Sequence, residues 1–222
     1  MTTEDIDREI TLRSGPGPLL GQADDMTHFM LVYKFGLAEI GTKITILAEE
    51  LAHRGRGNPI EHVSPRLKTT ASITAKARRI DCPLTVDDVR SRIRDIAGIR
   101  IVCSFVSDVY TVADMLTRQP DITLLQTKDY IAQPKVNGYR SLHLIVEIPV
   151  FLSEQMVSVP VEVQLRTVAM DFWASLEHKI HYKYDPIVPG PVREELAAAA
   201  EDAARLDRRM ERLHSEIHGP RR

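Results

Sequence analysis

The sequence predicts an α+β fold: a mixed β-sheet with helices packed on it, and helical extensions at both ends. Three observations predict it. Segments 142–150 and 157–165 alternate apolar and polar residues at the period of a strand. Segments 24–51 and 191–218 repeat apolar residues in steps of three and four, the period of a helix. Between these lie shorter strand and helix patterns in alternation, so strands and helices share one sheet domain. The 222 residues are enough for one sizeable core with extensions.

In chain order, residues 1–23 hold Ser14-Gly15-Pro16-Gly17-Pro18 and little periodicity, which reads as a mobile arm. Met26, Met30, Tyr33, Leu37, Ile40, Ile44, Leu47 and Leu51 then share one helical face. Gly36 and Gly41 each weaken that helix by up to about 1 kcal/mol, so packing must hold it. Residues 53–65 read as a loop, and 67–79 as a basic helix. A third helix follows Pro83, with Thr85 as N-cap, Val89, Ile93 and Ile96 on its apolar face, and Gly98 ending it. The β-branched run 99–106 is a strand. Ser107 opens a helix to about 118, with Val109, Val112 and Leu116 inward, and 121–131 is a strand. Pro160 points to an edge or bulged position within 157–165. Residues 167–184 form a helix with Met170, Trp173, Leu176 and Ile180 inward, and a last helix runs from about 191 to 218.

Charge and composition narrow the function. Hydrophobic residues are 43% and charged residues 27%, as in ordinary globular proteins. The formal net charge of −2 weighs against a basic nucleic-acid-binding module, so an anion site must come from locally clustered Lys and Arg. No apolar run is long enough to cross a bilayer, and the acidic start MTTEDIDREI has no signal-peptide pattern. A cytoplasmic protein without a membrane partner is expected. The two cysteines, Cys82 and Cys103, form no Cys-x-x-Cys pair, which weighs against structural zinc. Cys103, within an apolar run, reads as a buried, inert thiol.

Four constellations could carry chemistry. Lys68, Ser72 and Lys76, spaced by four after Arg66, stack on one helical face and suit a polyphosphate; the same spacing also describes a solvated basic face. Asp95, at a helix–strand junction, is placed to hold Mg²⁺, and Arg100, opposite Ile99 and Ile101 on its strand, can stack on a base. Pro134, Asn137 and Gly138 shape a turn, around which stand Lys128, Tyr130, Lys135, Tyr139, Arg140 and His143. Cations interleaved with aromatics suit an anionic ligand with a flat base. Glu162, Gln164 and Arg166 share the face away from the valines of 157–165. Glu162 is there a metal ligand or general base on a rigid strand, or one more polar group on a solvated face.

These segments, in this order, resemble the synthetase domain of the RelA/SpoT-type alarmone synthetases, above all its small single-domain members. The resemblance covers about residues 64–185 and is carried by KDYIAQPKVNGYRSLH and VEVQLRTVAMDFWASLEHKIHYKY. It implies a nucleotidyltransferase-like sheet and Mg²⁺-dependent transfer of a pyrophosphoryl group from ATP to the 3′-hydroxyl of GTP or GDP. By motif, Arg66 and Arg100 would sandwich adenine, and Lys68, Ser72 and Lys76 would bind the phosphates of ATP. Asp95 would hold Mg²⁺, and Glu162 would contact Mg²⁺ and the attacking hydroxyl. Tyr139 would stack on guanine, with Lys135, Asn137 and His143 on the acceptor. The chain divides into the arm (1–23), a synthetase domain with its N-terminal helix (24–185) and a C-terminal helix (186–222), on which Leu196, Ala199, Ala203, Leu206, Met210, Leu213 and Ile217 form a heptad seam. Such a seam must be covered by the N-terminal helix, which shows the same stepping, or by another subunit; the resemblance implies the second, a homo-oligomer with a tetramer favoured. RNA or (p)ppGpp are candidate regulators. No Walker pattern is present, which excludes a P-loop enzyme. With no His-Asp dyad and no room for a hydrolase domain, product hydrolysis is not expected. A silent nucleotide sensor and a different nucleotidyltransferase are the competing readings. The pairing of Asp95 with Glu162 argues against the first, and the lack of an Asp-x-Asp pair against the second.

Overall fold

The computed structural model describes residues 23–53, 57–183 and 188–219. The arm expected over 1–23 lies outside them except for Ala23, as does the boundary expected at 185–186. The strands are β1 (Ile60–Leu67), β2 (Ala97–Cys103), β3 (Thr123–Asp129), β4 (Leu142–Phe151) and β5 (Met156–Thr167). The helices are α1 (Ala23–His53), α2 (Thr70–Arg79), α3 (Val86–Arg92), α4 (Val106–Thr117), α5 (Val168–Lys183) and α6 (Gly190–His218). The five strands form one sheet in the order β1-β2-β5-β4-β3. Only β2 and β5 run parallel, so the sheet is mixed, as the sequence predicts.

Strand alternation builds the core. Val159, Val161, Val163 and Leu165 of β5 are buried beside Leu142, Leu144, Val146 and Ile148 of β4. α1 and α4 cover this face. α1 presents Phe29, Val32, Tyr33, Ile40 and Ile44, whereas Met26, Met30 and Leu37, expected inward, are only partly buried. Gly36 sets how close the helix lies. A Cβ there would come within 2.6 Å of a Val159 methyl, so the glycine permits the contact that holds α1 to the sheet. Cys103 is fully buried, and burial raises its thiol pKa to about 12, so the inert reading holds.

The structure departs from the sequence reading in four places. The supposed loop 53–65 contains most of β1, whose residues are largely exposed and so show no apolar alternation. β1 is an edge strand, which explains why it tolerates Pro65. α2 starts at Thr70, capped by Thr69, so Lys68 precedes the helix. α3 ends at Arg92, and β2 begins before Gly98. Ile93 and Ile96 stay buried, but from the turn that carries Asp95. β5 is central in the sheet, yet its pairing with β2 begins only at Val161, so at Pro160 the strand borders β4 alone.

Beyond the sheet, Trp173, Ala174 and Ala200 form a small second cluster between α5 and α6, with Leu196, Ala203 and Tyr139 around it. Trp173 donates its indole N–H to the Leu196 carbonyl at 2.9 Å. Leu176, expected inward, is exposed.

Candidate active site

Pairing register assembles the site on the sheet face opposite α1. One row across β1, β2, β5 and β4 is Ser64, Arg100, Gln164 and His143. The next is Arg66, Gly98 and Glu162. The rows are two residues apart on each strand, so their side chains leave from the same face. Along β5 that face carries Glu162, Gln164 and Arg166. It is not a solvated face: Glu162 and Gln164 are half-buried and Arg166 is 7% exposed.

At one end of these rows two lysines converge on a carboxylate. Lys68 Nζ lies 2.9 Å and Lys76 Nζ 2.7 Å from Asp95 Oδ2. Burial pushes the Asp95 carboxyl up, but hydrogen bonds from Lys76 and Lys68 outweigh it and hold the pKa below the usual carboxylate range. Arg66, Lys68, Asp95, Arg100, Glu162 and Gln164 line one cavity of about 180 Å³. Ser72 does not line it. It is exposed in the first turn of α2, with its hydroxyl 2.9 Å from that of Thr69. The i,i+4 stack of Lys68, Ser72 and Lys76 is therefore absent, and the two lysines meet through Asp95 instead.

Asp95 and Glu162 are the residues suited to a hard divalent cation. Asp95 Oδ1 is buried and accepts no hydrogen bond, a carboxylate oxygen with one coordination position left over. Burial raises the Glu162 pKa, but hydrogen bonds from His143 and Gln164 outweigh it and bring the net value below the ordinary one, with the nearby Asp95 charge a smaller upward influence, so Glu162 is ionised at neutral pH. Among the described residues no cluster of three or more His, Cys, Asp or Glu could hold a metal ion, so these two would share it with ligand oxygens or water.

The third constellation wraps residues 130–141 beside Glu162. Gly138 has φ +87°, and a Cβ there would meet the Ala200 Cβ at 2.5 Å, so only glycine lets this turn lie on α6. Asn137 accepts from the Tyr139 N–H at 3.2 Å and donates to Glu177 at 3.1 Å. Lys135 Nζ sits 4.6 Å from the Tyr130 ring centroid and 4.7 Å from that of Tyr139. Tyr139 Oη is 2.8 Å from His143 Nε2, and His143 Nδ1 is 3.2 Å from Glu162 Oε1. Arg140 pairs with Glu201 of α6 at 3.0 Å.

The sequence reading missed three site residues. Gln164 Nε2 donates to Glu162 Oε2 at 2.9 Å. Arg166 donates to Tyr139 Oη at 2.7 Å and to Asp171 Oδ1 at 3.1 Å. Strand alternation already put Gln164 and Arg166 on the face of Glu162, so that signal was available. Asp171 had none, because its place beside Arg100 and Arg166 depends on how the first turn of α5 follows β5.

A mixed sheet holding two ionised carboxylates beside four convergent cations and an aromatic-lined turn is the framework of a nucleotide-dependent phosphoryl or pyrophosphoryl transferase. The particular family follows from comparison. A sequence profile described as the region found in RelA / SpoT proteins matches residues 65–186. The GTP pyrophosphokinase YwaC of Bacillus subtilis is 46% identical over 194 residues, 87% of this chain and 92% of that protein. The crystal structure of small alarmone synthetase 2 from B. subtilis superimposes with a TM-score of 0.77 at 47% identity, over 84% of this chain and 97% of that one. That of B. subtilis small alarmone synthetase 1 bound to its product pppGpp does so with 0.80 at 37% identity, over 87% and 98%. This chain belongs to the RelA/SpoT family.

Proposed function

We propose that this chain is a GTP pyrophosphokinase, which transfers the β,γ-pyrophosphoryl group of ATP to the 3′-hydroxyl of GTP or GDP. The observation that carries the reading is the single cavity in which Asp95 and Glu162 meet Arg66, Lys68 and Arg100, next to the Tyr139 turn. Arg66 and Arg100 are diagonal neighbours on paired strands, able to take a flat base between their guanidinium planes. Lys68, Lys76 and the N-terminal turn of α2 with Ser72 supply positive charge for the donor phosphates. Tyr139 stacks on the guanine, and Lys135, Asn137 and His143 surround the acceptor.

The chemistry is a displacement at the β-phosphorus of ATP. The acceptor's 3′-oxygen forms a bond to it, the bond from that phosphorus to the bridging oxygen of the α-phosphate breaks, and AMP leaves with the bridging oxygen. The hydroxyl proton passes to Glu162, whose two oxygens are oriented by His143 and Gln164. Asp95 and Glu162 would hold Mg²⁺, which supplies charge neutralisation on the polyphosphate. Most of the rate enhancement asked of the protein is alignment of the two nucleotides and stabilisation of charge.

The reading also places the chain in the cytoplasm, where both nucleotides are found. No helix among the described residues is long and apolar enough to cross a membrane. It further makes the chain a homo-oligomer, a tetramer, joined through the exposed side of α6, with 24–185 as the catalytic unit. Incubation of β-labelled ATP with GTP, GDP and GMP in turn, followed by thin-layer separation, tests the activity. Labelled 3′-diphosphate with stoichiometric AMP is expected for GTP and GDP; binding without label transfer to any acceptor overturns the proposal.

A further inference from the structure

We propose that Arg166 and Asp171 are positioning residues that couple the donor and acceptor nucleotide sites. The inference rests on the reading above, in which Arg100 holds the base of ATP and Tyr139 the guanine.

Arg166 stands near the end of β5, one row beyond Gln164 on the site face. Its guanidinium is shared three ways. Nη1 donates to Asp171 Oδ1 at 3.1 Å, and Nη2 donates to Tyr139 Oη at 2.7 Å and to Gln164 Oε1 at 3.2 Å. From Tyr139 the bonds continue to His143 and on to Glu162 Oε1. From Gln164 they continue to Glu162 Oε2. The circuit closes on Glu162, so the groups that orient both of its oxygens are themselves held by Arg166. The guanidinium carbon also lies 5.2 Å from the Tyr139 ring centroid, so the face offered to guanine is set by the same group.

Asp171 connects this circuit to the donor side. Its Oδ1 accepts a hydrogen bond from Arg166 Nη1 at 3.1 Å and lies 3.3 Å from Arg100 Nε, an ion-pair contact without hydrogen-bond geometry, so both arginines pair with one oxygen atom. Its Oδ2 is 3.9 Å from His62 Nε2. The Asp171 and Arg166 side chains are only 14% and 9% exposed, so releasing either would leave a charge poorly solvated and unpaired. A base seating on Arg100 must fix that guanidinium, and the constraint passes through the shared oxygen to Arg166, Tyr139 and Glu162. Neither Asp171 nor Arg166 lines the cavity itself. They act through Arg100 on one side and Tyr139 on the other. A forked guanidinium serves position 166, because it reaches Asp171 from one nitrogen and Tyr139 and Gln164 from the other.

The test is calorimetric titration of the full chain with GDP, in Mg²⁺ buffer, with and without saturating α,β-methylene ATP, which cannot donate its β-phosphoryl group. In the unsubstituted protein the analogue should tighten GDP binding about 5-fold or more, within the range of coupled sites. Asp171→Asn and Arg166→Lys should each still bind both nucleotides separately, with the enhancement reduced below about 2-fold. Thermal melts identify a variant that fails to fold, and the other then decides. No enhancement in the unsubstituted protein, or full enhancement in a folded variant, overturns the relay. Arg100→Ala and Tyr139→Ala distinguish the two readings. If neither weakens its own nucleotide, the site assignment fails. If each does and the enhancement survives in Asp171→Asn, only the relay fails.

Discussion

Glu162 stands on a strand whose opposite face is packed into the core, so its backbone cannot drift, and its two oxygens are aimed by His143 and Gln164. Glu162→Gln keeps the shape and removes the proposed base. Turnover should fall by roughly 10²–10⁴-fold while the far-UV spectrum is unchanged, and near-normal turnover would remove Glu162 from the mechanism. The pH dependence has a definite sign. Glu162 and Asp95 both have folded-state pKa values below their ordinary ones, so the stability they contribute is present above the usual carboxylate range. It is lost only as pH falls through the lower folded values. The melting temperatures of Glu162→Gln and the parent should therefore differ most at neutral pH, and the difference should shrink as pH falls through the carboxylate range. Tyr139→Ala should cost about 1–3 kcal/mol of acceptor binding with little effect on ATP. Equal loss for both nucleotides in a calorimetric titration would point to collapse of the turn instead.

At the scale of elements, two glycines in one helix separate packing from propensity. Gly36 and Gly41 both lie within α1, and each disfavours the helix by about 1 kcal/mol relative to alanine. A Cβ at Gly41 meets nothing within 4 Å, whereas one at Gly36 runs into Val159. Gly41→Ala should therefore raise the melting temperature by about 2–4 °C, the response of a chain this size to 1 kcal/mol. Gly36→Ala should lower it, because overpacking costs about 1–3 kcal/mol and exceeds the gain in propensity. Differential scanning calorimetry of the pair decides the matter: a rise in both would mean that α1 can move away from β5 at no cost. The same logic of close approach applies at Gly138, where the acceptor turn lies on Ala200, so α6 supports the site as well as extending from it.

For the whole molecule, the open question is what covers α6. Its inward stripe is Ala200, Ala204 and Asp207, which packs it onto its own domain. The heptad-like series expected to form a seam is split by this arrangement. Leu196 and Ala203 are partly buried against Trp173, while Leu206, Met210, Leu213 and Ile217 are 52%, 48%, 42% and 74% exposed. Phe172 and Leu176 of α5 are exposed too, and a groove between the two helices is lined by Phe172, Leu176, Leu206 and Met210. Among the described residues α6 packs chiefly on α5, and α1 is not one of its main neighbours. Self-association is the expected consequence. Multi-angle light scattering at micromolar concentration should give a tetramer mass, and a mass near 25.1 kDa would exclude a stable oligomer. Leu206→Asp combined with Leu213→Asp should dissociate it; persistence of the oligomer would move the interface elsewhere.

What the sequence by itself determined is what the chain encodes locally. Alternation in 142–150 and 157–165 defined two strands and their buried faces, and steps of three and four defined the long terminal helices. The order of charged motifs was enough to point to the family and to Asp95, Glu162 and their neighbouring cations. Only the tertiary structure decided how these groups meet. β1 has no apolar period to read, because an edge strand buries little, and it became visible only through its pairing with β2. Lys68 and Lys76 converge on Asp95 across the β1–α2 and α3–β2 junctions, not along a helix. Alternation put Arg166 on the face of Glu162 but not its burial, and Asp171 carried no signal until the first turn of α5 set it against Arg166 and Arg100. The physical reason is that periodicity is set by bonded neighbours, whereas register and charge pairing depend on groups that folding brings together from distant parts of the chain.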